Sequence, residues 1–222
     1  MTAVGAVVAT CSGGHWTCTG ESCPGRCQVF GNGHYQTFDS RWFSFDGNCQ
    51  YTLLEDGCGR GNGQFAVRVE SIPCCDEELT CSRTITLDLL DEVSLVLEDM
   101  SVSSRSSNTG GEMLYSVHTV GLYIVVSVPR PGLTLIWDKH TRLTVLLEAS
   151  EANDLMSSGS LLASSALEFG NSWKTGTPPC SDVTTETFPC QRHSYCSNWA
   201  ERRCMIITGD TFKECHLKVN TE

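Results

Sequence analysis

Residues 27–51 read CQVFGNGHYQTFDSRWFSFDGNCQY, a run of aromatic residues with a histidine and two aspartates, punctuated by glycines and set between cysteines. Two readings compete: an active site, or the first strands and turns of a scaffold. His34 stands five residues before Asp39, as a base and its orienting carboxylate would. That chemistry also needs a nucleophile, and no serine or cysteine of the chain stands in a nucleophile-elbow context. A single histidine on a glycine-flanked turn is ordinarily a hydrogen-bonding group of the turn. HYQTFD (34–39) predicts a strand that Asp39 ends, where its carboxylate could hold a hard cation such as calcium, which takes six to eight oxygens, with Asp46 nearby in sequence, although one carboxylate at a turn is usually a turn residue.

Beyond this stretch the pattern is period two. Phe65, Val67 and Val69 alternate with Ala66, Arg68 and Glu70, as in a strand buried on one face. The alternation returns in Ile85, Leu87 and Leu89, and again in Val93, Leu95 and Leu97. It continues in Leu122, Ile124, Val126 and Val128, in Leu133, Leu135 and Trp137, and in Leu143, Val145 and Leu147. Between these strands lie PRPG (129–132), DKHT (138–141) and a Ser/Gly-rich stretch at 101–111 that reads as a loop. Strands joined by short turns predict a mainly β protein, an antiparallel sandwich rather than a set of βαβ units. ASSALEFGNSWK (163–174) predicts one short helical turn, ended by the prolines of TGTPPC.

Fourteen cysteines in 222 residues fall at 11–81 and 180–215, with none between. That usage indicates an oxidised, disulfide-stapled extracellular protein. Paired C-x-x-C zinc knuckles are missing, so disulfides are favoured over zinc. The net charge of −11 argues against nucleic acid, whose phosphates need clustered Lys and Arg. No apolar run approaches the ~18–20 residues of a membrane span. MTAVGAVVAT is apolar but lacks the basic start of a signal peptide, so the chain reads as a piece of a larger secretory precursor. It contains no N-x-S/T sequon. CSGGHWTCTGESCPGRC (11–27) has too little apolar content to fold by burial and should take its shape from cross-links. The cysteine-spaced, partly helical run from Cys190 to Cys215 looks like an incomplete further module.

CQVFGNGHYQTFDSRWFSFDGNCQYTLLEDGC resembles the opening of a von Willebrand factor type D domain, GLTLIWDKHTRLTVLL its central hairpin, and EFGNSWK its closing signature. Among members of the family, the wording is closest to the secreted gel-forming mucins. The resemblance implies three regions: the end of a cysteine-rich module (1–26), the type D domain (27–180), and the start of an eight-cysteine module (181–222). It also answers the opening question in favour of a scaffold. The implied role is non-enzymatic, extracellular, disulfide-linked assembly of a mucin-like glycoprotein through other modules of the same kind. An adhesion or matrix-interaction module of another type D protein is the alternative, and a thiol-disulfide exchange enzyme a remote one.

The resemblance further implies disulfides Cys49–Cys180 and Cys74–Cys81, and calcium ligation by Asp39. Two departures modify it. GNGH (31–34) stands where some mucin D domains carry the self-cleaving G-D-P-H, so cleavage is not expected. Between TRLTVLLE and NDLMSSG the family carries a C-G-L-C-G-N-F-x-G segment, and here only ASEA intervenes. Asn153 and Asp154 match the trailing end of that calcium loop, so calcium binding is expected to be weak. Loss of the segment removes the family partners of Cys27 and Cys58, leaving these as unpaired candidates together with Cys75, unless Cys27 and Cys58 bond to each other, which needs their Cα atoms within about 7 Å. Cys190, Cys204 and Cys215 pair, in the family, with cysteines beyond residue 222.

Overall fold

The computed structural model describes residues 7–12, 15–22, 24–56, 63–74, 79–90, 93–106, 114–148, 165–175 and 179–184, and positions 198, 202, 205, 206 and 209. The chain divides into two compact units, 1–184 and 185–222. In the second, the Gly209 amide donates to the Ile206 carbonyl in a single turn.

The first unit is built from antiparallel strands. β1 (Val7–Ser12) and β2 (His15–Ser22) pair as an isolated hairpin. Three strands follow from the stretch that opened the sequence: β3 (Gly25–Phe30), β4 (His34–Gln36) and β5 (Trp42–Ser44). The chain then runs a five-strand meander, β6 (Gln50–Glu55), β7 (Phe65–Cys74), β8 (Leu79–Leu89), β9 (Val93–Glu98) and β10 (Ser101–Ser106), which forms one sheet. A second meander, β11 (Ser116–Val120), β12 (Tyr123–Val128), β13 (Leu133–Trp137) and β14 (Leu143–Leu147), ends beside β3. The seven-stranded sheet therefore runs β11-β12-β13-β14-β3-β4-β5.

One face of each sheet is apolar, and the two faces share one core. Leu54, Val67, Ile85, Leu87, Leu95 and Leu97 of the smaller sheet are sealed from solvent, as are Val29, Val126, Leu135, Trp137, Leu143, Val145 and Leu147 of the larger. Each such side chain contributes about 1.5–3 kcal/mol by leaving water. The Trp137 indole donates to the His140 carbonyl at 3.0 Å, so its burial leaves no polar atom stranded. The short helix α1 (Ala166–Ser172) starts at Ser165, whose hydroxyl accepts from the Glu168 amide at 3.1 Å, a side-chain N-cap.

Five details differ from the sequence reading. Leu122 is not an inward strand residue: it sits in the β11–β12 turn and is 80% exposed. Residues 101–106 form a strand rather than a loop, because Asp99 (φ 47°) and Met100 (φ 60°) make a two-residue turn with left-handed backbone that folds β10 onto β9. β11 was not foreseen, since nearly all of its residues face solvent and leave no alternation. Residues 7–22 form a hairpin, so backbone pairing shapes this segment besides any cross-links. Finally, the HYQTFD strand stops at Gln36, where Thr37 accepts a turn hydrogen bond from Ser40 and Asp39 lies inside the turn.

The GNG turn after β3 is demanding. Gly33 has φ +78°, and a Cβ there would lie 2.0 Å from the Phe45 carbonyl oxygen. The Phe45 amide donates to the Gly33 carbonyl at 2.8 Å, so neither backbone can retreat without losing that bond. Gly33→Ala is expected to cost about 2 kcal/mol from left-handed strain and the displaced strand. Urea denaturation checks this; an unchanged midpoint would show that the turn yields freely.

Candidate functional site

The opening stretch does not assemble a catalytic pair. His34 Nδ1 is 3.0 Å from Ser44 Oγ, and its ring lies 5.5 Å from that of Phe30. Asp39 instead accepts from the Thr37 hydroxyl and pairs with Arg41 Nε at 3.1 Å on the surface. Both carboxylate oxygens are thus turned to local donors. Among the described residues, no group of three or more His, Cys, Asp or Glu side chains is arranged to hold a metal ion. Asn153 and Asp154 lie outside the described residues, and so do Cys58 and Cys75. The described donor set alone does not fit calcium, which needs a shell of oxygens free to face the ion.

What the stretch does instead is join the sheets. Arg83 of β8 is 1% exposed, yet each of its three guanidinium nitrogens donates a hydrogen bond. Nε donates to the Thr141 carbonyl (2.9 Å), Nη2 to the Gly31 carbonyl (2.7 Å) and Nη1 to Ser71 Oγ (2.6 Å). Its backbone amide donates to the His140 carbonyl. Burial lowers the Arg83 pKa, and the Tyr35, Asp46 and Asp138 charges oppose the shift. Around it, Asn32 accepts from the Thr80 amide at 2.9 Å and donates to Asp46 at 3.1 Å, while the Gly31 amide donates to Thr141 Oγ1 at 3.2 Å. The glycine turn, β8 and the DKHT turn are thereby one network. Sequence reasoning missed Arg83, although the signal was present: it stands in phase with Ile85, Leu87 and Leu89 on the inward face.

The cysteines form a second cluster. The structure holds disulfides Cys49–Cys180, which spans 131 residues, and Cys74–Cys81, which spans seven. Cys27, in β3 opposite Val145 of β14, is a free thiol. It is 3% exposed, and burial pushes its pKa up to about 12, so the thiol is protonated and inert. Beside it is a cavity of about 40 Å³ walled by Tyr35, Phe43, Phe45 and Tyr51 on the sheet side and by Phe169 and Trp173 of the α1 segment. The Tyr51 hydroxyl is buried without a hydrogen-bond partner. Burial raises its pKa to about 12, and the nearby Cys49 amide only partly offsets this, without closing a bond of ordinary geometry.

Residues 27–156 match the von Willebrand factor type D domain, well over half of the chain. This chain belongs to the von Willebrand factor type D family. The type D chain is 43% identical to mouse Mucin-19 and 42% identical to human Mucin-19, with 99% of it covered in each case, and 35% identical to human Mucin-2, with 95% covered. It spans only 3% of either Mucin-19 and 4% of Mucin-2. The match to mouse Mucin-19 runs over 246 positions, 24 more than the chain's own 222 residues, so at least that many positions of the relative have no counterpart here. Mainly antiparallel β structure with disulfides is what this type D chain displays. Among its described residues, no helix is long and apolar enough to cross a membrane.

Proposed function

We propose that the chain is a non-enzymatic, extracellular structural module that supports disulfide-linked assembly of a mucin-like, gel-forming glycoprotein. The observation that carries this reading is similarity to mucins along nearly the whole chain. Its partners are other type D and eight-cysteine modules of the same or identical chains. Residues 1–26 and 181–222 are the edges of the neighbouring cysteine-rich modules, and the sandwich over 27–180 is the unit they join. Mouse Mucin-19 has at least 24 positions without a counterpart here, enough in number to include a segment such as the one missing between TRLTVLLE and NDLMSSG.

Unmatched thiolates attack accessible disulfides at rates set by pKa and exposure. Secretory expression of the chain, followed by non-reducing electrophoresis of medium and lysate, is expected to show disulfide-linked ladders retained in the cell and collapsing on reduction. Efficient secretion of one sharp monomeric band would overturn the assembly reading for this chain. Calcium should bind weakly, because Asp39 is already turned to Thr37 and Arg41 and one carboxylate supplies a fraction of the required oxygens. Calorimetry is expected to give no tight, stoichiometric uptake; a saturable site of high affinity would contradict it.

A further inference from the structure

We propose that the outer face of β14, β3, β4 and β5 binds an acidic saccharide, a sugar carrying a carboxylate or a sulfate. Register sets two rows of side chains next to each other there. One row crosses the four strands as Thr144, Gln28, Gln36 and Trp42, and the next runs from Phe30 to His34 and Ser44. Cys27, Val29 and Tyr35, which alternate with these residues, belong to the core, so both rows lie on the opposite side of the sheet. With strands about 4.8 Å apart and same-face neighbours about 7 Å apart along each strand, the rows span roughly 15 by 7 Å. That is the footprint of a short saccharide, and it is far below the ~800 Å² that a stable protein partner covers.

Printed side by side by the register, the two rows are also tied together by contact. Phe30 is the hub: the Trp42 ring meets it in an edge-type contact with centroids 6.0 Å apart, and the Arg142 guanidinium lies over it at 4.7 Å from the centroid. His34 packs on the same ring at 5.5 Å, and its Nδ1 is 3.0 Å from Ser44 Oγ. Arg26 donates to Gln28 Oε1 at 3.1 Å, and Gln28 donates in turn to Gln36 Oε1 at 2.8 Å. This relay fixes the sense of both amides and leaves the Gln36 amide nitrogen as its donating end. Gln28 is buried even on this outer side, which keeps the relay ordered.

The chemistry of the surface selects the ligand. Trp42 is 57% exposed on β5, the last strand of the sheet, and offers the broad apolar ring on which the C–H face of a sugar stacks. Beside it stand an amide, a hydroxyl and guanidinium groups in place of further apolar side chains, which suits a hydroxylated ring better than a lipid. Charge supplies the acidic substituent. The chain carries a net −11, yet this face presents Arg26, Arg41 and Arg142. The nearby acids are engaged: Asp39 pairs with Arg41, and Asp138 accepts from the His140 and Arg142 amides. Among the described residues, Arg26 and Arg142 form no ion pair. A guanidinium grips a carboxylate or sulfate through two parallel hydrogen bonds. Because Trp42 and Arg142 both touch the one Phe30 ring, a short saccharide that stacks on Trp42 brings its anion to Arg142.

Calorimetry of the refolded full chain tests this with sialyllactose as the carboxylate probe, a chondroitin sulfate disaccharide as the sulfate probe and lactose as the neutral one. Saturable binding of at least one acidic probe is expected in the millimolar range, about tenfold or more tighter than lactose, and weakened by about 0.3 M salt. Which acidic probe binds identifies the anion. Trp42→Ala and Arg142→Gln should each weaken it about tenfold with the far-ultraviolet β spectrum retained, while Arg105→Gln, on β10 of the other sheet, should leave it unchanged. If Trp42→Ala does not fold, Arg142→Gln decides. Four results would overturn the proposal: lactose binding as tightly as the acidic probes, no saturation by any probe at about 20 mM, a folded Trp42→Ala or Arg142→Gln variant that binds as before, or Arg105→Gln weakening binding equally. Self-association that Arg142→Gln abolishes, with no saccharide bound, would assign the face to a second copy of the chain instead.

Discussion

Alanine at both Cys49 and Cys180 is expected to lower the unfolding free energy by about 5 kcal/mol, because the lost cross-link closes a loop of 131 residues. In the chain-entropy picture the benefit grows with the logarithm of loop length. The seven-residue Cys74–Cys81 loop should therefore contribute only about 2 kcal/mol. The long bridge also fastens the start of β6 to the segment after α1, where the Tyr51–Lys174 backbone bridge and the Thr175 hydroxyl on Gln50 link strand and tail as well. Melting should fall by roughly 10–20 °C for a domain of this size. Thermal and urea unfolding of the double variant measure it, and a loss below about 1 kcal/mol would mean that the unfolded chain is already compact near these residues.

Replacing Arg83 with methionine is expected to cost about 3–5 kcal/mol. The mechanism is the opposite of losing a hydrophobic contact. Methionine fills much of the volume, but it leaves the Gly31 and Thr141 carbonyls and the Ser71 hydroxyl without their donor inside the core. Each stranded acceptor costs about 1–3 kcal/mol when water cannot replace the donor. Lysine keeps the charge but not the planar fork, so Arg83→Lys should recover a minor part of the loss. Urea denaturation of the two variants separates shape from charge. Near-wild-type stability for methionine would show that water enters and satisfies the three acceptors.

The core strands were legible because one face of each is sealed: Val67, Leu87, Val126 and Leu135 each sit on an alternation that only a half-buried strand produces. Edge strands escape that logic. β10 reads SVSSRS and offers a single partly buried apolar side chain, Val102, so its pairing comes from the Asp99–Met100 turn and not from burial. Arg83 was visible as a charge in an inward phase, but its acceptors lie 52 and 58 residues away in turns that have no side-chain signature for it. Spacing alone could not select the disulfide partners among fourteen cysteines; family resemblance supplied the pairings that were proposed. The Cys27 cavity had no sequence signal at all, since one wall is a helix far along the chain whose two aromatic residues read as ordinary closing-motif positions.

The order of strands in the larger sheet carries a consequence for how the molecule comes into being. β6 to β10 pair each with its neighbour in sequence, so this sheet depends on short-range closure and can zip up as it leaves the ribosome. β3 is served in time on one side only: β4 follows it at once, but its other neighbour β14 is the last of the described strands, and every strand from β4 to β13 emerges between them. At ~5–20 residues per second of synthesis, that delay is on the order of ten seconds. Throughout it, Cys27 is an ordinary solvent-facing thiol, because neither β14, which flanks it in the sheet, nor the α1 segment, whose aromatic residues lie across the cavity beside it, yet exists. The residue that ends as the most sheltered cysteine sulfur of the described fold therefore begins as one of the earliest exposed to any oxidant present during synthesis.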